Sequence, residues 1–95
     1  MPEMHATVRW PDGSRVRCYS PSLVLAEHLE EGATYPLDDF VGRARTALVE
    51  AGERVRVKYG FPCSRAAATL AGIEDEARRF AGTDDPHVTV ERLER

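Results

Sequence analysis

The chain has 95 residues, 31% of them charged, and a formal net charge of −3 at neutral pH. This length supports one domain with a modest core, and the mixed charge disfavours nonspecific binding to nucleic acid. No segment approaches the roughly 18 apolar residues of a membrane-spanning helix, and the first ten residues lack the basic and apolar segments of a signal peptide.

The first predicted element is a β-hairpin. Apolar and polar residues alternate from Met4 to Trp10, which is the two-residue period of a half-buried strand. Pro-Asp-Gly at 11–13 predicts a turn, and Ser14 to Tyr19 then returns as a second strand. With Trp10 opposite Ser14, the apolar side chains of both strands share one face. The other face then carries a basic and aromatic set: His5, Arg9, Arg15, Arg17 and Tyr19.

A long helix is predicted for residues 36–59. Pro36 suits its first position, where the missing N–H costs nothing. Apolar residues follow at intervals of three and four, the helical period, which is typical of an ordinary core helix. Gly60 is the expected left-handed residue after the helix, with Phe61 folding back onto Val55.

Shorter helices are predicted on either side of the long one. Serines can cap a short helix over residues 23–30. A third helix, over about residues 64–80, is rich in alanine and therefore slim enough to form an antiparallel hairpin with the long helix. Close packing is also expected at Gly42 and Gly52, because a glycine inside a helix costs about 1 kcal/mol relative to alanine.

The last predicted element is a strand from His87 to Leu93, with Val88 and Val90 facing inward. A strand needs a partner, so this one is expected to join the N-terminal hairpin. The order β-β-α-α-α-β indicates a single α+β domain over residues 1–95. It would hold a small, mainly antiparallel three-stranded sheet, made of the hairpin and the C-terminal strand and covered on one face by helices.

Four short motifs together carry a family resemblance. They are Trp10-Pro11-Asp12-Gly13, Cys18-Tyr19-Ser20-Pro21-Ser22, Tyr35-Pro36-Leu37 and Gly60-Phe61-Pro62-Cys63-Ser64. In this order and spacing, the chain resembles a family of small bacterial nitrogen starvation response proteins. The resemblance implies a stand-alone cytoplasmic protein, encoded beside a nitrilase and other enzymes in gene clusters for the use of nitriles or cyanide as nitrogen sources. It brings no catalytic residues with it.

Cys63 is the one candidate for catalysis. A thiol at the start of a helix has its thiolate favoured by the dipole and by free N–H groups, although a nucleophile also needs a base from elsewhere in the fold. The alternative is a small buried residue, and Cys18 on the core face of the second strand fits that description better.

Two cysteines without a Cys-x-x-Cys motif predict reduced thiols, and no zinc-ligand spacing is present, so we expect no metal or other cofactor.

The arginine-rich hairpin face is the other candidate site. Arg9 and Arg15 lie directly opposite one another and should repel unless something acidic covers them. Glu91 on the last strand, a partner protein, a small anionic ligand or a nucleic acid could do so, and a base could stack on Tyr19. A merely solvated face is the commonest outcome for such a cluster. The candidate residues for binding a ligand or partner are Arg9, Arg15, Arg17 and Tyr19.

The leading hypothesis is a non-enzymatic accessory or binding protein of the bacterial nitrogen-starvation response, which docks to an enzyme of its gene cluster. The family resemblance, the small single domain and the absence of any catalytic motif all favour it. A protein partner or self-association is expected ahead of nucleic acid. Two alternatives stay open: a thiol-dependent enzyme or redox protein centred on Cys63, and an anion or nucleic-acid binder using the arginine face.

Overall fold

The computed structural model describes residues 3–61 and 64–95. In these residues the elements are strands β1 (Met4–Arg9) and β2 (Arg15–Ser20), helix α1 (Leu25–His28), strand β3 (Thr34–Pro36), helices α2 (Leu37–Tyr59) and α3 (Ser64–Arg78), and strand β4 (His87–Glu94). The strands form one antiparallel sheet in the order β2-β1-β4-β3. The predicted α+β class, the long helix and the pairing of the last strand with the hairpin are confirmed.

The N-terminal hairpin has the predicted register. Val8 lies opposite Val16, and Arg9 lies opposite Arg15. The turn is held locally, because Asp12 accepts hydrogen bonds from the Ser14 backbone N–H at 3.0 Å and from its hydroxyl at 2.6 Å. Turn chemistry and side-chain alternation therefore fix the same register.

The sheet has one strand more than the three predicted. The extra strand is β3, in which Tyr35 lies opposite Val88 of β4. It contains Pro36, which cannot donate a hydrogen bond to a neighbouring strand and so fits an edge position. Pro36 is also the N-cap residue of α2. The sequence pattern predicts its role at the start of the helix but does not separately predict a strand.

The pairing of β4 with β1 contains a β-bulge. Val90 lies opposite Val8 and Arg92 lies opposite Thr7, so Glu91 is the extra residue on β4. Glu91 follows the inward-facing Val90 and lies on the outer face of the sheet, where it meets the arginines of the hairpin. The bulge returns Leu93 to packing against the core.

The helices cover the other face of the sheet and enclose an aromatic core. Trp10 is only 2% exposed, which confirms its predicted position on the core face. Its ring stacks against Phe80 at a centroid distance of 6.0 Å and meets Phe40 of α2 edge-on at 5.7 Å. Aromatic pairs of this geometry add about 0.5–1.5 kcal/mol beyond the burial of their surface.

The ends and packing of α2 differ in part from the prediction. Gly60 adopts the expected left-handed conformation, with φ +84°, and its N–H donates to the Arg56 carbonyl at 2.8 Å. Phe61 is 64% exposed, so the expected contact with Val55 does not bury it. The close packing predicted at Gly42 and Gly52 is wrong, because a Cβ at either position would meet nothing within 4 Å beyond the backbone of its own helix.

Helices α2 and α3 form the predicted antiparallel hairpin. Arg45 in the first half of α2 is paired with Glu74 in the second half of α3 at 2.9 Å. Helix α1 is shorter than expected, because Leu29 already has extended backbone angles, φ −127° and ψ 143°. The hairpin leaves α3 beside β2, at the edge of the sheet.

A candidate binding groove beside the edge strand

The arginines singled out in the sequence lie together on the outer face of the sheet. Glu91 lies 2.6 Å from Arg15 and 3.3 Å from Arg9, so acidic cover for this pair comes from within the chain. Arg17 lies 4.0 Å from Glu94, the outer limit of an ion pair. Binding of a ligand or partner by this face stays a prediction, but most of its charge is compensated by β4.

Tyr19, the aromatic residue of the same face, lies beneath a cation from α3. The guanidinium carbon of Arg65 is 3.7 Å from the centroid of the Tyr19 ring, within the range of a cation–π contact. The ring of His5 approaches edge-on, at a centroid distance of 5.6 Å. A nucleobase that stacked on this side of the Tyr19 ring would have to displace Arg65.

Only one of the two cysteines lies within the described residues. Cys63, the candidate nucleophile, lies outside the described residues, and its reactivity stays a prediction. Cys18 is 6% exposed, and burial raises the pKa of its thiol to about 11. That thiol is protonated at neutral pH and therefore a poor nucleophile. Within 3–61 and 64–95, no three side chains of His, Cys, Asp or Glu come together as metal ligands.

A groove of about 350 Å³ opens between β2 and α3. The strand lines it with four consecutive residues, Val16 to Tyr19. Trp10 and one side of α3 complete the lining: Ala68, Thr69, Gly72, Ile73 and Glu76. The space exists because Ala68 and Gly72 are too small to fill it. Val16 is consequently 41% exposed, although it lies opposite the fully buried Val8 on the core face.

Trp10 brings an unusual feature to this groove. Its indole Nε1 is buried and has no hydrogen-bond partner in the described part of the chain. Buried polar groups in proteins are nearly always paired, and an unpaired donor costs about 1–3 kcal/mol. Because this donor is buried, it lowers the stability of the aromatic core; the groove is a candidate site because of its open space beside an edge strand.

The two ends of the groove differ in charge. Arg65 at the start of α3 and Arg17 on β2 make one end basic. At the other end, Glu76 is paired with Arg79, and Arg79 also lies 3.3 Å from Asp12 in the hairpin turn. The acidic end is therefore compensated, whereas the best partner of Arg17 is the distant Glu94.

The sequence placed Trp10 and Cys18 correctly on the core face but did not reveal the groove. The relevant signal is the cluster of small residues in the third helix, which predicts close packing against the long helix. Ala68 and Gly72 instead face β2. Sequence spacing identifies a slim side of a helix, but it does not say which neighbour that side faces.

Together these features define a small α+β domain whose groove is walled by an edge strand and a helix. The family model described as nitrogen starvation-induced protein NitG matches residues 5–93, and the chain belongs to that family. This confirms the resemblance to nitrogen starvation response proteins noted in the sequence. No curated protein and no solved structure was found to match the chain. No described helix combines the length and the apolar character needed to cross a membrane.

Proposed function

We propose that this protein is a non-enzymatic, cytoplasmic accessory protein of the nitrogen-starvation response and that it acts by binding another protein. The observation that carries the proposal is the groove between β2 and α3, because one of its walls is an edge strand. Membership of the nitrogen starvation-induced family supplies the physiological context.

The chemistry of the groove supports binding rather than catalysis. Of its lining residues, Cys18 carries a protonated thiol and Glu76 is held by Arg79. The protonated thiol is a poor nucleophile, and the Glu76 carboxylate is already paired, whereas a general base needs a free position. Val16, a partly exposed apolar side chain in a groove beside a sheet edge, offers a contact for a protein partner instead.

The proposed partner is an enzyme made under nitrogen limitation. The resemblance noted in the sequence points to an enzyme of nitrile or cyanide use, encoded near this protein. An anion- or nucleic-acid-binding role is less well supported, because Glu91 compensates Arg9 and Arg15, two of the three arginines that would carry it.

Affinity capture from nitrogen-starved cells of the source organism tests this proposal. The tagged protein should recover one enzyme in stoichiometric amount, identified by mass spectrometry. Val16→Lys, which places a charge in the groove, should lose that enzyme. Val49→Lys is the matched control, because Val49 is 59% exposed on α2, away from the groove, and it should retain the enzyme.

Two outcomes would contradict the proposal. One is recovery of the wild-type protein alone from starved cells. The other is turnover of a nitrile, amide or cyanide-derived substrate by the purified protein in the absence of any partner.

A further inference from the structure

We propose that the groove takes its partner by β-strand addition: an extended segment of the partner protein pairs with the edge of β2 and inserts apolar side chains between β2 and α3. This inference rests on the proposed function and specifies the form of the partner that the groove accepts. It concerns the mode of recognition, which membership of the family leaves open.

The first support is the unpaired edge of β2. Strand β2 is at the end of the sheet order, and within the described residues no strand lies on its outer side. An edge strand offers a row of backbone donors and acceptors to an incoming strand. The charged residues of β2, Arg15 and Arg17, protect this edge against a second copy of the chain but would accept an acidic strand.

The second support is the shape of the groove. Four consecutive strand residues line it, which at about 3.3 Å per residue gives a length of about 13 Å. The helix wall runs antiparallel to the strand. Tyr19 at the end of β2 meets Arg65 at the start of α3, and Asp12 before β2 meets Arg79 just beyond the end of α3. A channel with two roughly parallel walls fits an extended segment of about four residues.

The lining determines which side chains such a segment should carry. Val16, Cys18 and Ile73 present apolar surface, and Gly72 leaves space for an incoming side chain. Successive side chains of a strand point to opposite faces, so every second residue of the segment would enter the groove. Those residues should be aliphatic and of moderate size.

The charge at one end of the groove indicates which residues should occupy the positions of the partner segment that point away from the groove. The end formed by Arg17 and Arg65 is basic, and Arg65 forms no ion pair within residues 3–61 and 64–95. Arg17 has only Glu94, at 4.0 Å. The partner segment should therefore alternate aliphatic with acidic residues, with a carboxylate near these two arginines.

A second copy of this chain is a poorer occupant of the same edge. If two β2 strands paired antiparallel with Val16 opposite Val16, Arg15 of each copy would lie opposite Arg17 of the other. Like charges directly opposite one another destabilise a strand pair. The arginines of β2 thus disfavour this self-pairing and favour an acidic partner.

The experiment uses two libraries of N-acetylated octapeptides in which aliphatic residues alternate with either acidic or basic residues. Trp10 is the single tryptophan of the chain and lines the groove, so its fluorescence reports occupancy. We expect the acidic library to yield binders and the basic library to bind at least about tenfold more weakly, a difference of about 1.4 kcal/mol. Amide hydrogen exchange should show new protection in β2.

Two modifications separate strand addition from other modes of binding. Methylating the alternate backbone nitrogens of a selected peptide removes the donors that face β2 and should abolish binding, whereas methylating the other nitrogens should not. Gly72→Leu fills the groove and should weaken binding at least tenfold. Gly52→Leu on α2 is the matched control, since neither glycine has a neighbour within 4 Å of an added Cβ beyond its own helix backbone. Circular dichroism verifies that both variants fold.

Three results would overturn strand addition. They are the absence of binders in the acidic library, equal sensitivity to methylation of either set of nitrogens, and a dimer whose β2 amides are protected without any peptide. Capture of a cellular enzyme that survives Gly72→Leu would retain the accessory role while refuting this mode of binding. Failure of the wild-type protein to capture any enzyme would instead count against the accessory role itself.

Discussion

The carboxylate of Glu91 on β4 lies 2.6 Å from Nε of Arg15 on β2, across the intervening strand β1. The other oxygen of the same carboxylate lies 3.3 Å from Arg9 on β1. Arg9 and Arg15 are opposed in the hairpin and would otherwise repel one another. One acidic side chain, provided by the bulge in β4, therefore links three strands through their outer face.

The substitution Glu91→Gln should lower the free energy of unfolding by about 0.5–1 kcal/mol at low salt, because Arg9 and Arg15 lose their shared counter-charge. The loss should shrink at high salt, which screens exposed charges. Urea unfolding at two salt concentrations measures both effects. Glu94→Gln is the control, since its pair with Arg17 is already long at 4.0 Å. Equal losses in the two variants would contradict the assigned role of Glu91.

Cys18 should make the protein less stable at alkaline pH. Burial raises the pKa of its thiol from 9.0 to about 11, so the unfolded chain loses this proton first. The stabilisation from the protonated, buried thiol is complete below about pH 9 and is lost as the pH rises towards about 11. The free energy of unfolding falls by about 2–3 kcal/mol over that range. Unfolding free energies across this range should fall less steeply in Cys18→Ala than in the wild type. Parallel slopes would show that Cys18 is not the group responsible.

Two glycine substitutions should act in opposite directions. Gly60→Ala should destabilise the protein by about 1–2 kcal/mol, because φ is +84° and an L-residue is strained there. Gly52→Ala should stabilise it by up to about 1 kcal/mol, since alanine favours the helix and the added Cβ has open space. Thermal unfolding compares the two. A stabilised Gly60→Ala variant would mean that α2 does not end in this left-handed turn.

The contact between α1 and α2 should be visible in a titration. His28 Nε2 lies 3.3 Å from Glu50 Oε2, and this hydrogen bond, assisted by Arg54, lowers the pKa of the Glu50 carboxyl. The stabilisation that this contact gives to the folded protein is present above the ordinary carboxyl pKa and is lost as the pH falls. Carbon-13 NMR should show the Glu50 pKa rising in His28→Ala.

Glu53 provides an internal control for that titration. Its pKa is lowered by Arg56, within the same helix, and should not respond to His28→Ala. If both carboxyl groups moved together, the substitution would have disturbed α2 as a whole rather than one contact.

The sequence alone determined those features that are decided within a few residues of one another. Alternation and the Pro-Asp-Gly turn specified the hairpin register, and with it the opposition of Arg9 and Arg15. The three-and-four spacing and the glycine after it specified α2 almost to the residue. Combined short motifs also indicated the family, which the match over residues 5–93 confirmed. Each of these signals depends on local backbone geometry and side-chain period.

Only the tertiary structure decided the features that join distant parts of the chain. The ion pair between Glu91 and Arg15 joins two residues that lie 76 positions apart in the sequence. Strand β3 exists because β4 offers an edge for Tyr35 to meet Val88. The groove exists because Ala68 and Gly72 of α3 face β2 rather than α2. The rotation of a helix about its own axis is set by all of its neighbours together. The sequence supplies the side chains of this site, whereas the packing of remote elements decides which of them face a common space.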